Sequence, residues 1–210
     1  MRETEQQTVD EWIAELDEEI VKNPTSARPH YNLGVAYASK RMPDEAAREF
    51  KNAIEKNPGM VEAYVNLGGL YIQKDELDNA IEVNQKAAQL RPDFPVAHAN
   101  LGFTYLQKGY IDSAIDSLER AIAIAPDFVR PYINLASAYL QEGDIEKSID
   151  VSRKALELAP EYGPVHNNLA VAYYYKEDFK MATSHFDKAK EFGFEVDVKL
   201  LNALETHRKE

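Results

Sequence analysis

Asn32, Asn66, Asn100, Asn134 and Asn168 stand 34 residues apart, one amide in each of five successive intervals. A carboxamide carries N–H donors and a carbonyl acceptor together, matching the two polar groups of a peptide backbone. A ladder of five could hold an extended chain without reading its side chains. Asparagine is a mediocre helix former, so propensity does not account for the row. The histidines offer less. His30, His98 and His166 share one place in the repeat and alternate there with Tyr64 and Tyr132. They read as partly buried packing rings. Two helices per interval, spaced 8–10 Å, set successive histidines roughly 20 Å or more apart, too far to share a metal ion. His185 and His207 have no evident ligand partners in the sequence. The chain has no cysteine, so thiol nucleophiles, disulfides and cysteine–zinc sites are excluded. No Gly-rich phosphate loop, Gly-x-Ser-x-Gly turn or matched carboxylate pair in an apolar setting is present. The residues predict no catalytic group, no metal site and no cofactor.

The elements that position the amides follow from the prolines. Pro24, Pro58, Pro92, Pro126 and Pro160 keep the same 34-residue spacing. A period of that size marks one supersecondary unit copied along the chain. With Ala27 as position 1, Leu33, Leu67, Leu101, Leu135 and Leu169 fill position 7, and Tyr37, Tyr71, Tyr105, Tyr139 and Tyr173 fill position 11. Position 8 is Gly34, Gly68, Gly102, Ala136 and Ala170. Position 20 is Ala46, Ala80, Ala114, Ser148 and Ala182, and position 27 is always alanine. Leu and Tyr one helical turn apart fill a neighbouring groove. The glycines of position 8 are expected to face the alanines of position 20, with no side chain between the two helices. Gly109 and Gly143 at position 15 are expected to end first helices, and Pro43 to begin a second one. The pattern predicts first helices at 27–39, 61–73, 95–107, 129–141 and 163–175. Second helices are predicted at 43–56, 77–90, 111–124, 145–158 and 179–192.

This pattern of an aromatic, Leu-Gly, Tyr, Ala and Pro resembles the tetratricopeptide repeat family over residues 27–196. The resemblance implies an all-α, right-handed superhelical solenoid of helix-turn-helix repeats at 27–60, 61–94, 95–128, 129–162 and 163–196. It also implies a concave groove lined by positions 2, 5, 6 and 9 of the first helices, with position 6 facing the groove and not the core. Arrays with this asparagine row, such as that of protein O-linked N-acetylglucosamine transferases, hold extended peptides with it, and the same is implied here. The groove residues are then Asn32, Asn66, Asn100, Asn134 and Asn168 with Arg28, Tyr31, Val35, Val65, Phe103, Arg130 and Ile133. Chaperone-docking members clamp a C-terminal carboxylate with Lys at position 5 and Asn at position 9. Tyr31/Val35, Val65/Gly69 and Ala99/Phe103 stand there instead, so that partner is not expected.

Charge and chain ends complete the expectations. The net charge of −12 argues against a nucleic-acid partner, which needs clustered Lys and Arg. Residues 1–19 hold eight Asp or Glu against Arg2 alone. No 18-residue apolar stretch or apolar leader appears, so no membrane insertion is expected and a cytoplasmic setting is the simplest. Thr8-Val9-Asp10-Glu11 reads as a capping box opening a helix whose stripe is Val9, Trp12, Ile13, Leu16 and Ile20. Residues 1–26 are read as an N-terminal capping half repeat. Residues 197–210, with Val198, Leu200, Leu201 and Leu204, are read as a C-terminal capping helix. The expected function is non-enzymatic capture of an extended, partly apolar protein or peptide segment, as an adaptor or assembly factor. Self-association as a homo-oligomeric scaffold, or a regulatory subunit of an enzyme complex, are the alternatives.

Overall fold

The computed structural model describes residues 2–196, with side chains from Thr8 onward. The closing helix expected over 197–210 lies outside the described residues. Among these there are eleven helices and no strand. An N-terminal helix, α1 (Arg2–Lys22), precedes five hairpins. These are α2 (Ala27–Ser39) with α3 (Pro43–Lys56), α4 (Val61–Gln73) with α5 (Leu77–Leu90), and α6 (Pro95–Gln107) with α7 (Ile111–Ile124). They continue as α8 (Val129–Glu142) with α9 (Ile145–Leu158), and α10 (Gly163–Tyr175) with α11 (Phe179–Glu191). Every boundary of the ten repeat helices agrees with the sequence expectation to within one residue.

The turn inside each hairpin is the same. Position 15 has a left-handed backbone in all five repeats: Arg41, Asp75, Gly109, Gly143 and Glu177, at φ 59°, 59°, 74°, 90° and 63°. Each is followed by an N–H that bonds back to the tyrosine carbonyl at position 11, as in Met42 to Tyr37 at 3.0 Å and Asp144 to Tyr139 at 2.9 Å. These six-to-one bonds are Schellman closures, which satisfy the carbonyls that a helix end leaves open. Only two of the five sites use glycine, so the sequence announced two turns where the chain makes five. Asp144 and Asp178 then cap α9 and α11 by accepting from the Lys147 and Met181 N–H groups. Pro43 occupies the first turn of α3, where a missing N–H does no harm.

The chain divides into two compact units, the first ending at Asn100 and the second beginning at Leu101. In the first, Phe50, Leu67, Leu70 and Tyr71 close around Ala46 and Ala80, and Val61 and Val65 pack with Ala87 and Ala97. In the second, Leu106, Leu118, Leu135 and Tyr139 form one cluster; Tyr132, Ile149, Val165, Leu169, Tyr173 and Phe186 form another. Burial of hydrophobic surface between neighbouring helices is what holds such units, since no hairpin can bury its apolar face alone.

Two expectations are corrected here. The glycines of position 8 make room chiefly for the side chain of position 24; Gly102 also closes on position 20, where a β-carbon would stand 3.2 Å from the Ala114 carbonyl oxygen. A β-carbon on Gly34 would lie 2.7 Å from the Phe50 ring, on Gly68 2.1 Å from Asn84 Nδ2, and on Gly102 2.4 Å from Leu118 Cγ. Positions 20 and 24 lie one turn apart on the same helix face, and the larger side chain reaches the gap first. The second correction concerns Thr8. Helix α1 begins at Arg2, so Thr8 sits inside it and does not open it. The run Glu3-Thr4-Glu5-Gln6-Gln7 ahead of it contains good helix formers, which carry the helix upstream. Helix α1 packs on α2 through buried Leu16, while Trp12 lies at the exposed margin of the stripe. Asp10 pairs with Lys40 across that contact.

Candidate protein-interaction surface

The asparagines of position 6 sit mid-helix on α2, α4, α6, α8 and α10, and most are already engaged. Asn66 donates Nδ2 to the Tyr31 hydroxyl at 3.3 Å. Asn100 donates to the Val65 carbonyl at 3.4 Å and to Asn84 Oδ1 at 3.0 Å. Asn168 donates to the Ile133 carbonyl at 2.8 Å and lies 3.3 Å from Ser137 Oγ. One acceptor in each case, Tyr31, Val65 or Ile133, belongs to position 5 of the preceding repeat, so these three amides tie one first helix to the one before it. Asn134 Nδ2 is buried with no hydrogen-bond partner. Asn32 is half-buried. Asn168 is itself buried at 7 % exposure, so the expectation that position 6 always stands clear of the core is corrected for the last repeat.

The flanking residues separate by unit. In the first, exposed Arg28 holds its guanidinium carbon 5.8 Å from the Tyr31 ring centroid, and Tyr31 packs against Phe50 at 5.9 Å. Tyr31 and Val35 are half-buried, while Val65 is buried at 6 % exposure and offers a partner little surface. Arg28, Tyr31 and Asn66 are thus brought together. In the second unit, Phe103 and Ile133 are half-buried and Arg130 is exposed. Ile133 and Asn168 meet through the backbone bond described above.

Position 4 does more than pack. His98 Nε2 donates to the Pro92 carbonyl, His166 Nε2 to the Pro160 carbonyl and the Tyr132 hydroxyl to the Pro126 carbonyl, each at 2.9 Å. At these three places histidine and tyrosine bring a donor to the same spot over the proline turn. Position 4 also faces position 23, nineteen residues on, across the hairpin. His30 Nδ1 meets Glu49 Oε2 at 2.8 Å, and His166 Nδ1 meets His185 Nδ1 at 2.9 Å. Burial pushes the Glu49 carboxyl up, but bonds from His30, Asn52 and Arg48 outweigh it and leave the group below the usual carboxylate range. His185 is held down to about 4, first by burial and then by the charges of His166, Lys188 and Arg153. Sequence reasoning left His185 without a partner, because position 23 reads Glu49, Val83, Ser117, Val151 and His185, with no residue type common to the five repeats.

Where position 4 is tyrosine and position 23 valine, a cleft opens instead. In the first unit a cleft of about 230 Å³ is lined by Lys51, Ile54, Tyr64, Leu67, Tyr71 and Val83, among others. In the second, about 380 Å³ is lined by the equivalent Ile122, Tyr132, Leu135, Tyr139 and Val151, with Lys147 at its edge. Lys51 lies over the Tyr71 ring and Lys147 over Tyr139, at 5.6 and 5.0 Å. The Tyr139 hydroxyl is pushed up to about 12 by burial and by donation to Glu119. Among the described residues no group of three or more His, Cys, Asp or Glu could hold a metal ion. No helix among them is long and apolar enough to cross a membrane.

Three repeat families match the chain: tetratricopeptide repeat over residues 31–95, TPR repeat over 104–143 and tetratricopeptide repeat over 129–162. A search of curated proteins found no match. Among solved structures, MamA from Desulfovibrio magneticus RS-1 is 28 % identical at a TM-score of 0.71, covering 79 % of this chain and 94 % of its own. YrrB is 20 % identical at 0.73, covering 93 % of this chain and 98 % of its own, and shares the fold. A thermophilic TPR protein of Thermus thermophilus does likewise, at 20 % identity and 0.66, covering 86 % and 98 %. The 34-residue period, the five Schellman-closed hairpins and these matches agree, and the chain belongs to the tetratricopeptide repeat family of protein-interaction modules.

Proposed function

We propose that this chain captures an extended, partly apolar segment of a partner protein along its first helices and acts without catalysis, as an adaptor or assembly factor. The observation that carries the reading is the half-buried apolar side chains at positions 5 and 9, Tyr31 and Val35 in the first unit and Phe103 and Ile133 in the second. Such side chains retain apolar surface that a bound segment would remove from water. Asn66, Asn100 and Asn168 beside them are fixed in place by bonds to the preceding repeat, so a partner would meet ordered amides there. With Nδ2 engaged on Asn66 and Asn168, the Oδ1 atoms are the acceptors these two would offer to a peptide N–H. YrrB, described as a TPR protein with an unusual peptide-binding site, supports peptide capture by this fold.

The test is a pull-down with the full chain, mass spectrometry of what is retained, and calorimetry with peptides from the retained protein. Phe103→Ala and Tyr31→Ala should each weaken binding at least tenfold with little loss of helicity. Unchanged affinity in both variants would overturn the reading and turn attention to the clefts beside Tyr71 and Tyr139.

A further inference from the structure

The hairpin slot formed by positions 4 and 23 holds a titratable couple at two places, and their chemistry is opposite. In the first repeat, His30 faces a carboxylate, Glu49, and a proton taken up by the ring makes an ion pair. In the fifth repeat, His166 faces His185, and a proton taken up there makes a buried cation. Both rings are enclosed, at 2 % and 9 % exposure. Their tautomers follow from their partners. The Pro160 carbonyl can only accept, so His166 carries its proton on Nε2 and, when neutral, presents a bare Nδ1. The proton between the two Nδ1 atoms therefore belongs to His185. The facing atoms have room for one proton, and two would set N–H against N–H at 2.9 Å.

The surroundings offer a cation no relief. From α10, the Tyr173 ring stacks on His185 at 5.7 Å and 6°. From α9, Arg153 donates to the Tyr173 hydroxyl at 2.8 Å and acts on His185 as a like charge. Lys188, on α11 itself, acts in the same sense. The Phe192 ring closes on His166 at 5.3 Å. Among the described residues no carboxylate acts on His185 from any of these elements. We propose that the His166–His185 couple is an acid-release latch, which closes α10 on α11 when neutral and lets this last hairpin open when it takes up protons.

The sign follows from the direction of the shift. A histidine held below its unfolded value of about 6.5 contributes stability that is complete above that pH. The contribution is lost as pH falls toward about 4, where the folded hairpin itself takes the proton. At pH 5 the opening equilibrium of the hairpin should rise by roughly 30-fold from this group alone. Glu49 is held below its usual range, so its contribution persists until the pH nears the unfolded carboxylate value, and α2 and α3 serve as an internal reference above it.

The experiment is hydrogen exchange on the full chain between pH 7.5 and 4.5, with protection factors corrected for intrinsic exchange. The expected result is a fall of at least tenfold in protection of residues 163–191 relative to residues 27–56. His185→Glu, which copies the first-repeat couple, should abolish that fall, and His185→Val, which takes only the position-23 residue of repeats 2 and 4, should flatten it. The valine variant keeps the test alive where the buried glutamate prevents folding. Equal changes in both hairpins, no change in either, or an unaltered fall in the His185→Val variant would each overturn the latch.

Discussion

Replacing Gly68 with alanine adds one methyl group at the most tightly enclosed of the described glycines. The new β-carbon would stand 2.1 Å from Asn84 Nδ2 and 2.8 Å from its Cγ, so the amide must move. Asn84 is fully buried; it donates to the Ala80 carbonyl at 2.8 Å and accepts from Asn100 at 3.0 Å. Strain from overpacking costs about 1–3 kcal/mol. Each displaced hydrogen bond adds about 0.5–1.5 kcal/mol. Alanine recovers about 1 kcal/mol over glycine in a helix interior. With both bonds displaced, the balance is a net destabilisation of about 1–5 kcal/mol. Repeat 4 shows the remedy, since Ala136 there sits opposite the smaller Ser152. Gly68→Ala/Asn84→Ser should therefore be more stable than the sum of its single variants by at least about 1 kcal/mol. Hydrogen exchange of residues 61–90 and urea unfolding of the four proteins of the cycle would measure this. Additive costs, or a Gly68→Ala protein with wild-type protection, would refute the pairing of position 8 with position 24.

Two further outcomes are expected. Arg41→Gly and Glu177→Gly should each raise the melting temperature, by an amount equivalent to about 0.5–1 kcal/mol, because both residues hold a left-handed backbone that glycine adopts freely; unchanged or lower melting would show that their side chains contribute more than the strain. Asn168→Ala should lower stability by about 0.5–1.5 kcal/mol through its lost bond to the Ile133 carbonyl, whereas half-buried Asn32→Ala should stay within about 0.5 kcal/mol, as thermal melting of the two will show.

The helices were legible because period, proline and capping residues all point to the same boundaries. What the period could not resolve were choices within one turn of a helix. Ala46 and Phe50 lie on the same face of α3, and only packing decides which of them meets Gly34. The asparagine row was visible as a row, yet its bonds to the preceding position 5 were not, because the acceptors are mostly backbone carbonyls, which carry no sequence signal. Left-handed turns at Arg41, Asp75 and Glu177 were hidden for a related reason: the Schellman bonds impose a conformation that these residue types do not advertise. The partner of His185 was hidden by the variability of position 23.

The alternation at position 4 gives the array two periods. Its backbone repeats every 34 residues, but His30, Tyr64, His98, Tyr132 and His166 alternate, so the side chains of this slot repeat every 68. The two clefts beside Tyr64 and Tyr132 stand one such longer period apart, as do the successive histidine slots. An engineer who deletes or inserts a single hairpin would keep the backbone in phase and put the slots out of it, setting two clefts or two histidine slots side by side. For this chain the modular unit of surface chemistry is a pair of repeats, even though the modular unit of folding is one.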